Sequence, residues 1–124
     1  MIDQPAVIVI EQDMGGSVGD YIFAMMQARK AGSRVEIRGP CASSCTIWTA
    51  MPKDRVCVGE RAGLGFHKAD PGMGDQKASD GVLMAYYPSA VVKWLAERGG
   101  LTGDVKWLFG SRLRSIFNSC IAIR

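Results

Sequence analysis

The chain has 124 residues, a length that suits one domain (1–124) with a single core and is too short for two. Its hydrophobic content of 48% and charged content of 22% are ordinary for a globular protein. The net charge of +3 is mild and the basic residues are scattered, so nucleic acid is not an expected partner. No apolar run approaches the roughly 20 residues of a membrane span, so none is expected.

The first forty residues predict a strand, a helix and a second strand. Residues 6–13 contain a β-branched apolar run typical of a buried strand. After a turn at Gly15-Gly16, Ser17 is expected to cap a helix. Residues 34–38 alternate polar and apolar side chains like a half-buried strand. We therefore expect a right-handed βαβ crossover and an α/β fold.

The rest of the chain predicts shorter elements. A buried helix is expected over 44–51, short strands at 56–58 and 64–69, and a helix that begins at 82 or 89 and ends at 98. Residues 70–81, rich in Gly, Asp and Ser, predict a mobile loop, and 102–109 predict a final short helix. The last fifteen residues give no clear pattern.

Four cysteines form an even set that is available for disulfides, namely Cys41, Cys45, Cys57 and Cys120. An even number in a small chain favours an oxidising compartment and an exported protein, whereas free thiols would favour the cytoplasm. The N-terminus lacks the features of a signal peptide, so export implies that a signal has been removed. Four cysteines allow three pairings, which the sequence does not rank.

A zinc site is the other use considered for these cysteines. Cys41, Cys45 and Cys57 together with His67 would supply Cys₃His ligands, but they lack the paired spacing of zinc motifs. We expect neither a metal nor another cofactor.

Two turns have the residue types of a catalytic site. The Gly15-Gly16 backbone could approach a ligand closely, and N–H groups at a helix start suit a developing negative charge. Ser43, behind the break at Gly39, could expose its hydroxyl at the entry to a helix. A tight turn and helix capping explain the same residues without any site. His67, the one histidine, is the only imidazole that could activate a serine.

The order and spacing of these features resemble the Clp-type serine proteases, which share the crotonase superfold of repeated ββα units. A strand precedes Gly15-Gly16 and a helix; the segment Gly39-x-x-Ala42-Ser43 follows a second strand; His67 follows a third. The resemblance covers about residues 6–109 and is strongest to small bacterial periplasmic Clp-protease-like proteins.

This resemblance implies a serine hydrolase, a peptidase acting on peptides or proteins in the bacterial periplasm. Ser43 would attack an acyl carbon, and His67 would take its proton and return it to the leaving group. The oxyanion hole would be formed by the N–H groups of Gly16, or Gly15, and Ser44.

The third catalytic residue departs from the family pattern. The family's Asp lies near the equivalent of 107–111, where this chain has no carboxylate, and Asp104 is the nearest acid. A Ser–His dyad and a His67 oriented by a backbone carbonyl are open alternatives to a triad. The helix after His67 is shorter than the one through which Clp-type subunits form rings. A ring is therefore not expected, while a smaller homo-oligomer stays open.

The missing carboxylate also motivates a second hypothesis, a non-catalytic binding domain of the same fold, stabilised by disulfides. A third hypothesis, chemistry on acyl-CoA thioesters, is less favoured because no nucleotide-binding pattern is present.

Overall fold

The computed structural model describes residues 6–68 and 76–120, and for 76–79 the backbone alone. The elements follow in the order β1 (Val7–Ile10), α1 (Val18–Ala31), β2 (Arg34–Ile37), β3 (Pro40–Ala42), a 3₁₀ helix (Ser43–Ala50), a 3₁₀ turn (Lys53–Arg55), β4 (Val56–Val58), β5 (Gly63–Phe66), α2 (Gln76–Tyr86), α3 (Ser89–Ala96), β6 (Lys106–Phe109), α4 (Gly110–Ile116) and β7 (Asn118–Ser119). The protein is a mixed α/β domain with a parallel sheet, as the sequence predicts at that level.

Two small sheets divide the strands between them. The first has the order β1-β2-β4-β7 and all its neighbours are parallel. The second has the order β3-β5-β6, with β3 parallel and β6 antiparallel to β5. An isolated parallel bridge between Asp13 and Cys41 connects the chain beyond β1 to β3. The carboxyl ends of β1, β3 and β5 are thereby brought close to one another.

The predicted strand–helix–strand unit is present in the first part of the chain. Strand β1 pairs in parallel with β2, with Ile10 opposite Ile37. Helix α1 between them ends at Gly32, whose φ of 74° places it in the left-handed region that suits glycine at a helix C-terminus. Ser17 is the residue directly before the helix, as expected. The predicted capping hydrogen bond is wrong, because the Ser17 side chain makes none.

Three other sequence-based assignments need correction. Residues 102–109 are not a helix: 106–109 form β6, because pairing with β5 satisfies their backbone groups. The predicted loop at 70–81 already contains the start of α2 at Gln76, and the rest of it, 70–75, lies outside the described residues. The buried helix predicted at 44–51 is a 3₁₀ helix.

The core is formed by residues of both sheets, and β5 contributes two of its large, fully buried side chains. Leu64 and Phe66 of β5 are fully buried. The Phe66 ring packs edge-on against Tyr87 at 5.1 Å between centroids and tilted against Trp94 at 5.8 Å. Aromatic pairs of this kind add about 0.5–1.5 kcal/mol each beyond area burial. The carboxyl end of β5, from which His67 extends, is therefore firmly anchored.

All four cysteines form disulfides, which confirms the sequence-based prediction. The pairs are Cys41–Cys45, four residues apart, and Cys57–Cys120, 63 residues apart. The zinc alternative is wrong, because three of its four ligands are disulfide-bonded, and the condition for a cytoplasmic location, free thiols, is not met. Within residues 6–68 and 76–120, every helix is too short or too polar to traverse a bilayer.

Candidate active site

The strand pairing brings the predicted nucleophile and base to adjacent strand ends. Ala42 of β3 lies opposite Gly65 of β5, so Ser43 leaves the sheet beside Phe66, and His67 follows directly. Parallel strands lie about 4.8 Å apart, so the two residues extend from neighbouring strand ends. Both are half-buried, so solvent and small molecules can reach them.

Ser43 has an unusual backbone conformation. Its φ of 59° is in the left-handed region, and no other non-glycine residue of the described chain shares a positive φ. A non-glycine residue costs about 1–2 kcal/mol in this region. Such strain persists only where the surroundings enforce it, and it clusters at functional sites.

Several contacts enforce the conformation of Ser43. Thr46 Oγ1 donates to the Ser43 carbonyl oxygen at 2.5 Å, and it therefore accepts from the Tyr87 hydroxyl at 2.6 Å. Burial and, to a smaller extent, the charge of Asp80 raise the pKa of Tyr87 to about 12. The network joins the backbone of Ser43 to the end of α2 and the core.

The glycine turn lies directly against Ser43. Gly15 has a φ of +96°, and a Cβ added to it would lie 2.8 Å from Ser43 Cβ and 3.1 Å from the Ser44 backbone nitrogen. The first distance is shorter than real Cβ atoms show, and the second is tight. Glycine at this position therefore lets the turn approach Ser43 this closely.

Asp13 fixes the shape of this turn, a role that the sequence analysis missed. Its Oδ1 accepts from the Gly15 N–H at 2.9 Å, and its two carboxylate oxygens accept from the Tyr21 hydroxyl at 2.6 and 2.8 Å. Burial, followed by the hydrogen bond and the charge of Asp13, raises the pKa of Tyr21 to about 12. An Asp two residues before a Gly-Gly pair is a recognised turn signal that could have identified it.

The second glycine of the turn, Gly16, is engaged by the side chain of Ser44. The Gly16 N–H donates to Ser44 Oγ at 2.7 Å, and the Ser44 hydroxyl donates to the Gly16 carbonyl at 2.8 Å. An oxyanion would need the same position, 2.7–3.1 Å from the donor nitrogen. The Ser44 hydroxyl therefore fills the predicted oxyanion position in front of Gly16, and it must turn away before Gly16 can donate to a ligand.

His67 is oriented by a backbone carbonyl. Its Nδ1 lies 2.7 Å from the carbonyl oxygen of Lys68. A carbonyl oxygen can only accept, so Nδ1 carries the hydrogen and, in the neutral ring, Nε2 is left with a free lone pair. This is the tautomer that a general base needs.

Asp104 lies nearby but does not take the position of a third catalytic residue. Lys68 N–H donates to the Thr102 carbonyl at 2.8 Å, so the loop that contains Asp104 runs alongside Lys68. Asp104 is exposed, and within the described part of the chain no hydrogen bond or ion pair joins its carboxylate to His67. The Lys68 carbonyl contacts the nitrogen that such a carboxylate would contact.

The described residues thus bring a left-handed serine, a glycine turn packed against it and an imidazole to neighbouring strand ends. The N–H groups of the turn are engaged by Asp13 and Ser44. Among residues 6–68 and 76–120, no three His, Cys, Asp or Glu side chains are grouped as metal ligands. Comparison of the chain with protein-family models and with curated protein sequences finds no match.

Proposed function

We propose that this protein is a serine hydrolase that cleaves peptides or proteins, with Ser43 as nucleophile and His67 as general base. The observation that carries the proposal is the left-handed backbone of Ser43, strained at a strand end next to the only imidazole of the chain. Helix capping, the simpler explanation of a Ser at this position, requires an extended backbone and does not account for a φ of 59°.

The reaction follows from these positions. Ser43 Oγ attacks the acyl carbon while His67 Nε2 takes the hydroxyl proton, and the carbonyl π electrons move to oxygen. The carbon–nitrogen bond then breaks, His67 returns the proton to the leaving amine, and an acyl-Ser43 ester remains. Water attacks the ester, His67 removes a proton from the water, and that proton restores the Ser43 hydroxyl.

The oxyanion would be stabilised by the backbone N–H groups of Ser44 and Gly16. Ser44 N borders the glycine turn, and Gly16 becomes available when the Ser44 hydroxyl rotates away. One such donor contributes about 2.7–4 kcal/mol to transition-state stabilisation. Turnover is expected to be slow. The Lys68 carbonyl holds the hydrogen on Nδ1 of His67, but it has no negative charge with which to stabilise the imidazolium that forms during the reaction.

An apolar cleft near the amino-terminal ends of β3 and β5, which precede Ser43 and His67 along their strands, could receive an uncharged, bulky side chain of a substrate. The cleft has a volume of about 590 Å³, and its apolar lining includes Met14, Pro40, Trp107 and Phe109. The Trp107 ring covers Gly65 next to Ala42: a Cβ on Gly65 would lie 2.9 Å from that ring and 3.1 Å from Ala42 Cβ. Trp107 is 38% exposed and could stack against such a side chain.

The proposal also includes the fold family and the cellular compartment of the protein. We infer a Clp-protease/crotonase-like arrangement, supported by parallel strands that deliver the glycine turn, Ser43 and His67 in the expected order. Two disulfides fit an oxidising compartment, and we infer the bacterial periplasm.

Covalent labelling tests the proposal. The oxidised protein should react with a fluorophosphonate, and intact mass and peptide mapping should place one adduct on Ser43. Ser43→Ala should abolish the adduct, and His67→Gln should slow it by about 10²-fold or more. A rate that is unaffected by His67→Gln would remove the general base from the mechanism.

A second candidate function is a non-catalytic binding domain. It is favoured by the closed state of the glycine turn, in which Gly15 donates to Asp13 and Gly16 donates to Ser44. Ser44→Ala separates the two functions. In a hydrolase it frees the Gly16 N–H and accelerates labelling of Ser43, whereas in a binding domain neither the wild type nor Ser44→Ala is labelled.

A further inference from the structure

We infer that the Cys41–Cys45 disulfide is a positioning element of the nucleophile, which maintains Ser43 in its left-handed, reactive conformation. The inference about reactivity rests on the proposed function, whereas the inference about conformation does not. Three observations carry it: the place of the disulfide, the anchoring of its two ends, and the different place of the second disulfide.

The disulfide encloses the nucleophile symmetrically. Cys41 and Cys45 lie two residues before and two residues after Ser43, with their Cα atoms 5.3 Å apart. Five residues of extended chain would separate these atoms by roughly 13–14 Å. The segment is therefore compacted within the closed loop, and Ser43, at its centre, is the residue with the positive φ.

Both ends of the loop are fixed in the core. Cys41 and Cys45 are fully buried. Cys41 is opposite Leu64 in the second sheet and is bridged to Asp13 on its other side. Because both cysteines are buried, a change of Ser43 to a negative φ must be accommodated within the closed loop while the disulfide is intact.

The remaining restraints on Ser43 are non-covalent. They are the packing of Gly15, the Thr46 hydrogen bond to the Ser43 carbonyl, and the hydrogen bonds between Ser44 and Gly16. An ordinary serine prefers negative φ, so loss of the disulfide should lower the population of the reactive conformation by about tenfold.

The second disulfide provides a matched control. Cys57 and Cys120 join β4 to the chain beyond β7, in the other sheet, and the register places Cys57 opposite Glu36 and Asn118. No hydrogen bond of the described site involves these cysteines. The second bond thus stabilises the fold without contact with Ser43.

The consequence is that Ser43 becomes reactive only in an oxidised protein. Two thiols of the newly made chain lose two electrons and two protons to a disulfide-bonded oxidant, which is reduced to a dithiol. In a reducing compartment the loop stays open and Ser43 relaxes. The hydrolase would thus reach full reactivity only after transfer to an oxidising compartment.

The test compares C41A/C45A with C57A/C120A and the oxidised wild type, each well below its melting temperature. The conformation of Ser43 is read from the dipolar coupling between its amide and α protons, measured as their intraresidue NOE, which is strongest at positive φ because the two protons are then eclipsed. Reactivity is read from the rate of fluorophosphonate labelling at Ser43. We expect C41A/C45A to lose the coupling typical of positive φ and about tenfold in rate. C57A/C120A should retain the coupling and a rate within about twofold of wild type.

The inference is overturned if C41A/C45A retains both the coupling and the rate, or if C57A/C120A loses them equally. An unlabelled wild type would refute the proposed function, and the coupling would still decide the conformational role. If C41A/C45A does not fold, stepwise reduction of wild type replaces it. The rate should then fall as Cys41–Cys45 opens, and a fall that follows Cys57–Cys120 alone would overturn the inference.

Discussion

Replacement of Gly15 by alanine probes the packing of the glycine turn on the nucleophile. The new Cβ would lie 2.8 Å from Ser43 Cβ, 3.0 Å from the Ala42 carbonyl oxygen and 3.1 Å from Ser44 N. Two of these three atoms belong to the backbone, so no side-chain rotation relieves the overlap. The φ of +96° would be strained for alanine even without the overlap.

The magnitude follows from these two effects. A left-handed alanine costs about 1–2 kcal/mol, and overpacking costs about 1–3 kcal/mol. Gly15→Ala should therefore destabilise the protein by about 2–5 kcal/mol, a decrease in melting temperature of roughly 8–20 °C for a domain of this size. Labelling of Ser43 should also slow, because the overlap pushes on the nucleophile.

Denaturant unfolding with intact disulfides measures the effect, and two further glycines provide controls. A Cβ on Gly16 would meet Tyr21 at an ordinary 3.5 Å, so Gly16→Ala should change stability by less than about 1 kcal/mol. Gly81 in α2 has no neighbour within 4 Å, so Gly81→Ala should stabilise by up to about 1 kcal/mol. An unfolding midpoint of Gly15→Ala equal to that of wild type would refute the close approach.

Two other predictions concern stability. In the chain-entropy model, removal of Cys57–Cys120, which has a sequence separation of 63, should cost about 4 kcal/mol in equilibrium unfolding. Removal of Cys41–Cys45, with a separation of four, should cost about 2 kcal/mol, and a reversed order would contradict this model. The raised pKa of Tyr87, about 12 against 10, means that the folded state binds its proton more tightly. The stability it provides, about 2–3 kcal/mol, is therefore present below pH 10 and lost as the pH rises towards 12. Tyr87→Phe should flatten that pH dependence, and an unchanged slope would show that Tyr87 titrates alike in both states.

Parts of the fold with strong local signals could be predicted from the sequence. The β-branched run of β1 and the alternation in β2 predicted the two strands but not their burial, because Val7 and Val9 are exposed and Glu36 is buried. The glycine at the end of α1 is a local signal that does not depend on distant contacts. Strand β6 could not be identified in this way, since a short apolar run fits either helix or strand, and its pairing partner β5 lies forty residues earlier. The sequence Gly39-Pro40 indicated a break after the second strand. Pro40 is nevertheless the first residue of β3, a position at which a strand tolerates proline because no backbone N–H is needed there.

The candidate site shows the same division. The order of the glycine turn, Ser43 and His67 along the chain predicted that each of them follows a strand. The sequence could not show that the Ser44 hydroxyl occupies the position in front of Gly16, or that Lys68 supplies the partner of His67. These contacts depend on backbone directions within single turns, and no residue type specifies them.

The most direct test of the central claim is a crystal structure of the oxidised protein after reaction with a fluorophosphonate. The account predicts a phosphorus–oxygen bond at Ser43 Oγ and a phosphonyl oxygen within hydrogen-bond distance of Ser44 N. It also predicts the Ser44 hydroxyl turned away from Gly16, and His67 Nε2 within direct or single-water reach of the Ser43 oxygen. Phosphorus on another residue, or an imidazole too distant for even one bridging water, would contradict the assignment of Ser43 and His67 as nucleophile and base.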